Sequence, residues 1–210
     1  MEIPEIQQRI AQGEDICFDL YVMDGEAQQI VHSLVQGIIN KYERQDLEEM
    51  IYSSLKELII NGVKANLKHF LFKAKNINDT DEEHGIGFDD LKRLLDENEL
   101  ERFKEVAAME GLSVRVTVIH SQERLMFLIE NNTPMTRYER RRVREKFDSA
   151  LQYDNIFEYY LGNADDTEGS GLGITMIVLM LKGVGIDPHA FSINVHGKNT
   201  TVAKIHLPLR

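Results

Sequence analysis

The chain has 210 residues, 42% of them hydrophobic and 28% charged, which is enough to bury a substantial core and typical of globular proteins. Its net charge of −11 disfavours nucleic acid or an anionic membrane surface as a general partner, and no apolar run approaches the roughly 18 residues that a membrane-spanning helix needs. A lone cysteine, Cys17, excludes an internal disulfide framework, the seven histidines show no zinc spacing, and the polar N-terminus does not resemble a signal peptide, so a cytoplasmic location is expected.

In chain order, the N-terminus reads as a short amphipathic helix, followed by a strand in "DICFDLYVM" and a turn at Asp24-Gly25. From Glu26 the period becomes helical. Ile30, Leu34 and Ile38, then Met50, Leu55 and Leu58, recur at three- and four-residue steps to about Phe72, with a break near Arg44 to Asp46. "NINDTDEEHGIGFDD" is a polar, acidic loop, and Leu91 to Met109 a further helix ended by Gly111. "SVRVTVIH" and "LMFLIE" form an alternating hairpin with Val114, Val116 and Val118 on one face, and "RYERRRVREKF" a strongly basic helix. Ser149 to Glu168 lacks a regular period and reads as a mobile loop. "LGITMIVLMLKG" is a buried helix, and "FSINVHG" with "TVAKIHLPL" closes a second hairpin around Lys198-Asn199. Helices grouped with antiparallel hairpins predict an α+β fold in two layers: an α/β sandwich with a mixed, mostly antiparallel sheet and helices on one face. One domain is expected over 1–210, with an N-terminal extension over about 1–45 and an inserted acidic, helical segment over about 73–111.

Candidate chemistry concentrates in a few stretches. In "DTEGSGLGITMIVLMLKG" three glycines, Gly169, Gly171 and Gly173, alternate directly ahead of a helix. Glycine in such a run suits positive φ or the close approach of another molecule to bare backbone, and the unpartnered amides of a helix start attract phosphate oxygens. A Rossmann fingerprint would need a preceding strand and a third glycine one residue later, and no P-loop signature occurs. In "LKELIINGVKANLKHF", Glu57 and Asn61 stand four apart on one helical face, an oxygen-bearing pair suited to Mg²⁺, which takes few protein ligands and keeps waters and substrate phosphates; a solvated polar stripe is the alternative. In "LIENNTPMT", Asn131 and Asn132 end a strand, either as turn formers or as polar side chains offered to the edge of a base.

In this order, an Asn-bearing helix, a strand ending in Asn-Asn-x-Pro, a lid-like "NIFEYYLGN", Gly-x-Gly-Leu-Gly before a helix and a closing hairpin, the chain resembles the histidine-kinase-like ATPase superfamily, closest in motif style to sensor histidine kinase catalytic domains. The resemblance spans roughly Glu57 to Leu207 and implies a Bergerat-type ATP-binding fold. It implies Asn61 as the Mg²⁺ ligand, Glu57 as its acidic companion that orients or deprotonates water, and Lys64 as a phosphate-side cation. It places Phe157 and Tyr160 in the lid, Asn131 and Asn132 at the base, and Gly169, Ser170, Gly171, Leu172 and Gly173 around the phosphates of ATP. The implied function is phosphoryl transfer from Mg·ATP to a partner protein, with a nucleotide-responsive module of little turnover as the alternative.

The sequence departs from the family pattern at several points. Asn131 stands where an aspartate usually accepts the adenine amino group, which is expected to weaken that contact by about 1 kcal/mol and, because an amide can turn its nitrogen outward, to blur adenine against guanine. Thr133 and Met135 occupy glycine positions of the first glycine box and are expected to crowd the base or change its angle. The acidic stretch from Lys73 to Gly111 separates the Asn61 helix from the hairpin at unusual length. Arg137, Arg140, Arg141, Arg142, Arg144 and Lys146 read as a solvated helix face, or as a source of one or two arginines for the γ-phosphate. His32 lies beside an apolar face without the acidic neighbour of a phospho-accepting histidine, so a structural role is expected for it.

Overall fold

The computed structural model describes residues 1–75, 97–162, 172–197 and 199–209. Helix α1 (Ile3–Gln12) starts with Pro4 in its first turn, buries Ile6 and Ile10, and ends at Gly13, whose φ of +78° lets the chain turn back on the last carbonyls. Strand β1 (Ile16–Leu20) alternates strictly between buried and exposed. At Asp24-Gly25 the chain enters helix α2 (Gly25–Tyr42) directly, because the Asp24 carboxylate accepts from the Ala27 N–H and caps it. The expected break at Arg44 to Asp46 is a short 3-10 turn, Gln45–Leu47, after which α3 (Glu48–Lys75) runs for 28 residues.

Helix α4 (Glu97–Met109) buries Phe103 and Ala107, and Gly111, at φ +67°, ends it as predicted. The hairpin follows as β2 (Val114–His120) and β3 (Arg124–Asn131), then the basic helix α5 (Arg137–Leu151). The expected loop over Ser149 to Glu168 contains a helix instead, α6 (Ile156–Gly162). Asn155 accepts from the Glu158 N–H while Glu158 accepts from the Asp154 N–H, and Tyr159 buries itself edge-on to Tyr153. Helix α7 (Leu172–Gly183), strand β4 (Phe191–His196) and strand β5 (Thr200–Pro208) complete the chain.

The fold is α+β, with a five-stranded sheet of order β1-β2-β3-β5-β4. Every ladder is antiparallel, so the expected mixed sheet is corrected: β3 and β4 share a heading, but β5 lies between them and opposes both. Three rows cross the inner face. Ile16, Val118, Phe127, Ile205 and Phe191 form the first, and Phe18, Val116, Ile129, Ala203 and Ile193 the second. The third is Leu20, Val114, Asn131, Thr201 and Val195, apolar until the strand ends of β3 and β5, where it turns polar. Helices cover this face; on the other, Cys17, Asp19, Arg115, Lys204 and His206 are exposed, with Arg115 Nε donating to Asp19 Oδ1 at 2.9 Å. One continuous core joins α1 to β5, from Ile6 to Leu207, so the N-terminal helix shares the interior of the sheet and of α3.

Candidate functional site

A cavity of about 740 Å³ opens above the polar end of that third row, in the size range of small-molecule sites. Its floor is Ile129, Asn131, Thr201 and Ala203 of the sheet, and each wall is one stripe of a helix. From α3 come Ser53, Glu57, Asn61, Lys64 and Lys68, spaced at three and four residues and therefore stacked on one face. Gly62 sets their depth: a Cβ there would meet Val114 Cγ2 at 2.9 Å, so only glycine lets α3 settle this close to the sheet and bring Asn61 beside the Asn131 row.

The second wall is the start of α7, with Leu172, Gly173, Met176 and Ile177. A Cβ on Gly173 would fall 2.0 Å from Glu57 Oε1 and 2.4 Å from Glu57 Cγ, so the glutamate side chain lies directly against bare helix backbone. Its carboxylate faces the positive end of the α7 dipole and accepts from Asn61 Nδ2 at 3.0 Å. Asn61 therefore keeps its Oδ1 for a ligand. Glu57 and Asn61 supply the hard oxygen donors Mg²⁺ requires. Among the described residues no group of three or more His, Cys, Asp or Glu is placed to hold a metal, so a cation here would take its other ligands from substrate oxygens and water.

The third wall is α5, through Glu139, Arg142, Val143 and Lys146. Thr136 and Glu139 form a capping box at its start, and the Glu139 carboxylate also accepts from Lys68 Nζ, tying α5 to α3. The basic run is thus divided. Arg137, Arg140, Arg141 and Arg144 are exposed, as a solvated face would be, while Arg142 and Lys146 line the cavity.

Polar groups under the floor are hydrogen-bonded in series. Asn131 Nδ2 donates to Thr133 Oγ1 at 2.7 Å, Thr133 Oγ1 donates to Asn66 Oδ1 at 3.1 Å, and Asn66 Nδ2 donates to the Ser113 carbonyl at 3.0 Å. Thr133 is buried beneath Asn131 and does not line the cavity, which corrects the expectation that it crowds a base; Met135 does line it.

Of the site residues predicted from sequence, Glu57, Asn61, Lys64, Asn131, Leu172 and Gly173 meet around this cavity. Gly169, Ser170 and Gly171 lie outside the described residues. Asn132 does not reach the cavity: one residue on from Asn131 it is exposed, donating to the Gly111 carbonyl and accepting from the Ser113 N–H, and so latches the preceding turn. Phe157 and Tyr160 are 69% and 39% exposed and are not among the cavity residues, because Tyr159 turns inward on α6 and its neighbours turn out. His32 is exposed and edge-on to Tyr52 at 5.3 Å. Missed by the sequence reading were Gly62, Asn66 and Lys68. The Glu57-Asn61-Lys64 spacing, carried one turn further, would have reached Lys68.

No protein-family model matches the chain, and no solved structure does. The chain is similar to an uncharacterized protein of Treponema pallidum (strain Nichols), at 24% identity over 209 residues that cover 99% of this chain and 40% of the relative. It therefore spans less than half the length of the relative it matches.

Proposed function

We propose that the chain binds Mg·ATP in a histidine-kinase-like, Bergerat-type fold and serves as an ATP-binding catalytic domain that passes phosphate to a partner protein. The observation that carries this reading is the meeting of the Glu57-Asn61 face with the glycine-bearing start of α7 across one cavity. These stretches are far apart in sequence, and they are the ones the motif resemblance pairs. Phosphoryl transfer of this type depends on positioning and charge neutralisation, which the residues here are equipped to provide. Asn61 Oδ1 would hold Mg²⁺, whose contribution when bound is to neutralise charge on the phosphate oxygens, with the Glu57 carboxylate beside it to orient or deprotonate water. Lys64 and Lys68 place cations along the same wall, and the start of α7 would offer backbone N–H groups to anionic oxygen.

Thermal-shift titration with Mg·ATP tests the reading. At 100 times the dissociation constant a ligand of the native state stabilises by about 2.7 kcal/mol, so a clear rise in melting temperature is expected for the wild type and its loss for Asn61→Ala. No shift in the wild type would end the proposal. A second reading, a nucleotide-responsive module without turnover, is favoured by Met135 in the cavity wall and by the outward-facing Phe157 and Tyr160. Nucleotide-dependent labelling of a partner or ATP hydrolysis supports the kinase; a shift without either supports the module.

A further inference from the structure

We propose that the buried relay from Ser113 through Asn66 and Thr133 fixes Asn131 as a hydrogen-bond acceptor, and so makes the cavity selective for a base that carries an exocyclic amino group. The inference rests on the nucleotide-binding reading above and adds to it the residues that set base selectivity.

The relay begins at a group whose polarity cannot change. The Ser113 carbonyl oxygen only accepts, so Asn66 must turn Nδ2 toward it, at 3.0 Å. Asn66 Oδ1 then faces Thr133, whose hydroxyl directs its single proton there, at 3.1 Å. Thr133 Oγ1 is left with only lone pairs for Asn131, and accepts from Nδ2 at 2.7 Å. A second obligate acceptor, the Thr133 backbone carbonyl, lies 3.3 Å from the same nitrogen and is itself held by Thr201 Oγ1 at 2.9 Å. A flipped Asn131 amide would set oxygen against oxygen at both contacts. Asn66, Thr133 and Asn131 are 0%, 1% and 6% exposed, so water has no room to relieve that conflict.

What Asn131 offers the cavity is therefore its oxygen, which has no hydrogen bond among the described residues. A 6-amino group donates to it, while a 6-oxo group brings a second acceptor and is repelled. The freedom that an asparagine would ordinarily have to serve either base is removed by its neighbours. Asn66 and Thr133 act through Asn131 and are positioning residues.

Dissociation constants for ATP and inosine triphosphate, measured by calorimetry with Mg²⁺ on the whole chain, test this. The wild type is expected to bind ATP at least about tenfold more tightly. Thr133→Val keeps the shape, removes the shorter of the two contacts that hold Nδ2 and leaves only the backbone carbonyl at 3.3 Å, so the ATP preference should fall severalfold. Asn131→Asp in that background should restore it, since a carboxylate accepts in either orientation. Equal wild-type affinity for the two nucleotides, or a preference unmoved by Thr133→Val, overturns the relay and leaves nucleotide binding standing. No binding of either triphosphate refutes instead the reading on which it rests.

Discussion

At the scale of single residues, two glycines bring the polar groups of the cavity together. Gly173→Ala must displace Glu57, with Cγ as well as the carboxylate in the way, and overpacking of this kind costs about 1–3 kcal/mol. Urea denaturation of Gly173→Ala, Glu57→Ala and the double variant checks it: the alanine at 173 should be far better tolerated once the glutamate is gone. An equal cost in both backgrounds would mean that the contact is not the source of the strain. The Glu57-Asn61 pair and Gly173 were legible in the sequence because each belongs to a local pattern on one element. Thr133 was not. Its position suggested obstruction of a ligand, whereas its role comes from Asn66 and Thr201, each remote from it in sequence, and no local pattern carries that information.

At the scale of elements, the start of α2 is where charge and capping coincide. Burial pushes the Asp24 carboxyl up, but the Lys104 hydrogen bond at 2.7 Å and the Ala27 N–H outweigh it and hold the pKa below its ordinary 3.8. Asp24→Ala should cost about 1–2 kcal/mol at neutral pH and leave Lys104 of α4 only its longer contact with Glu26 of α2, at 3.7 Å. A depressed carboxylate contributes its full share above the unfolded value of 3.8 and loses it as pH falls through the lower folded value. The gap between wild type and variant should therefore close in acid, as urea melts at pH 7 and pH 3 would show. Most elements were readable from hydrophobic period alone. Helix α6 was not, since seven residues give too little period, yet Asn155, which accepts from the Glu158 N–H, is a cap residue that marks its start.

At the scale of the whole molecule, the two layers follow from hairpins and amphipathic helices, but the strand order does not, because pairing β3 with β5 across three helices leaves no local trace. Long-range packing of α1 and α2 on the sheet also buries a histidine. His120 Nε2 donates to the Glu14 carbonyl at 2.9 Å and its Nδ1 accepts from the Tyr42 hydroxyl at 2.6 Å, joining the α1–β1 turn, the end of α2 and strand β2. Both ring nitrogens are thus committed in the neutral form. Burial, the largest influence, holds the pKa below 6.5; the Glu14 carbonyl and Asp15 pull it up, and Lys41 pulls it down. The unfolded chain takes up a proton first, so stability is full above pH 6.5 and declines as pH falls from there toward the folded value. Chemical denaturation between pH 7.5 and 5.5 should show this decline, and His120→Gln should flatten it.

The sheet face that the described helices leave uncovered also gives the molecule a convenient handle. Cys17 is the sole thiol of the chain, stands exposed on edge strand β1, and belongs to the side turned away from Asn61 and Gly173. A maleimide dye or a tether to a sensor chip would attach there at one defined point, with the mouth of the cavity unobstructed, so immobilised or fluorescent protein can be titrated with nucleotides and partners without any engineered cysteine.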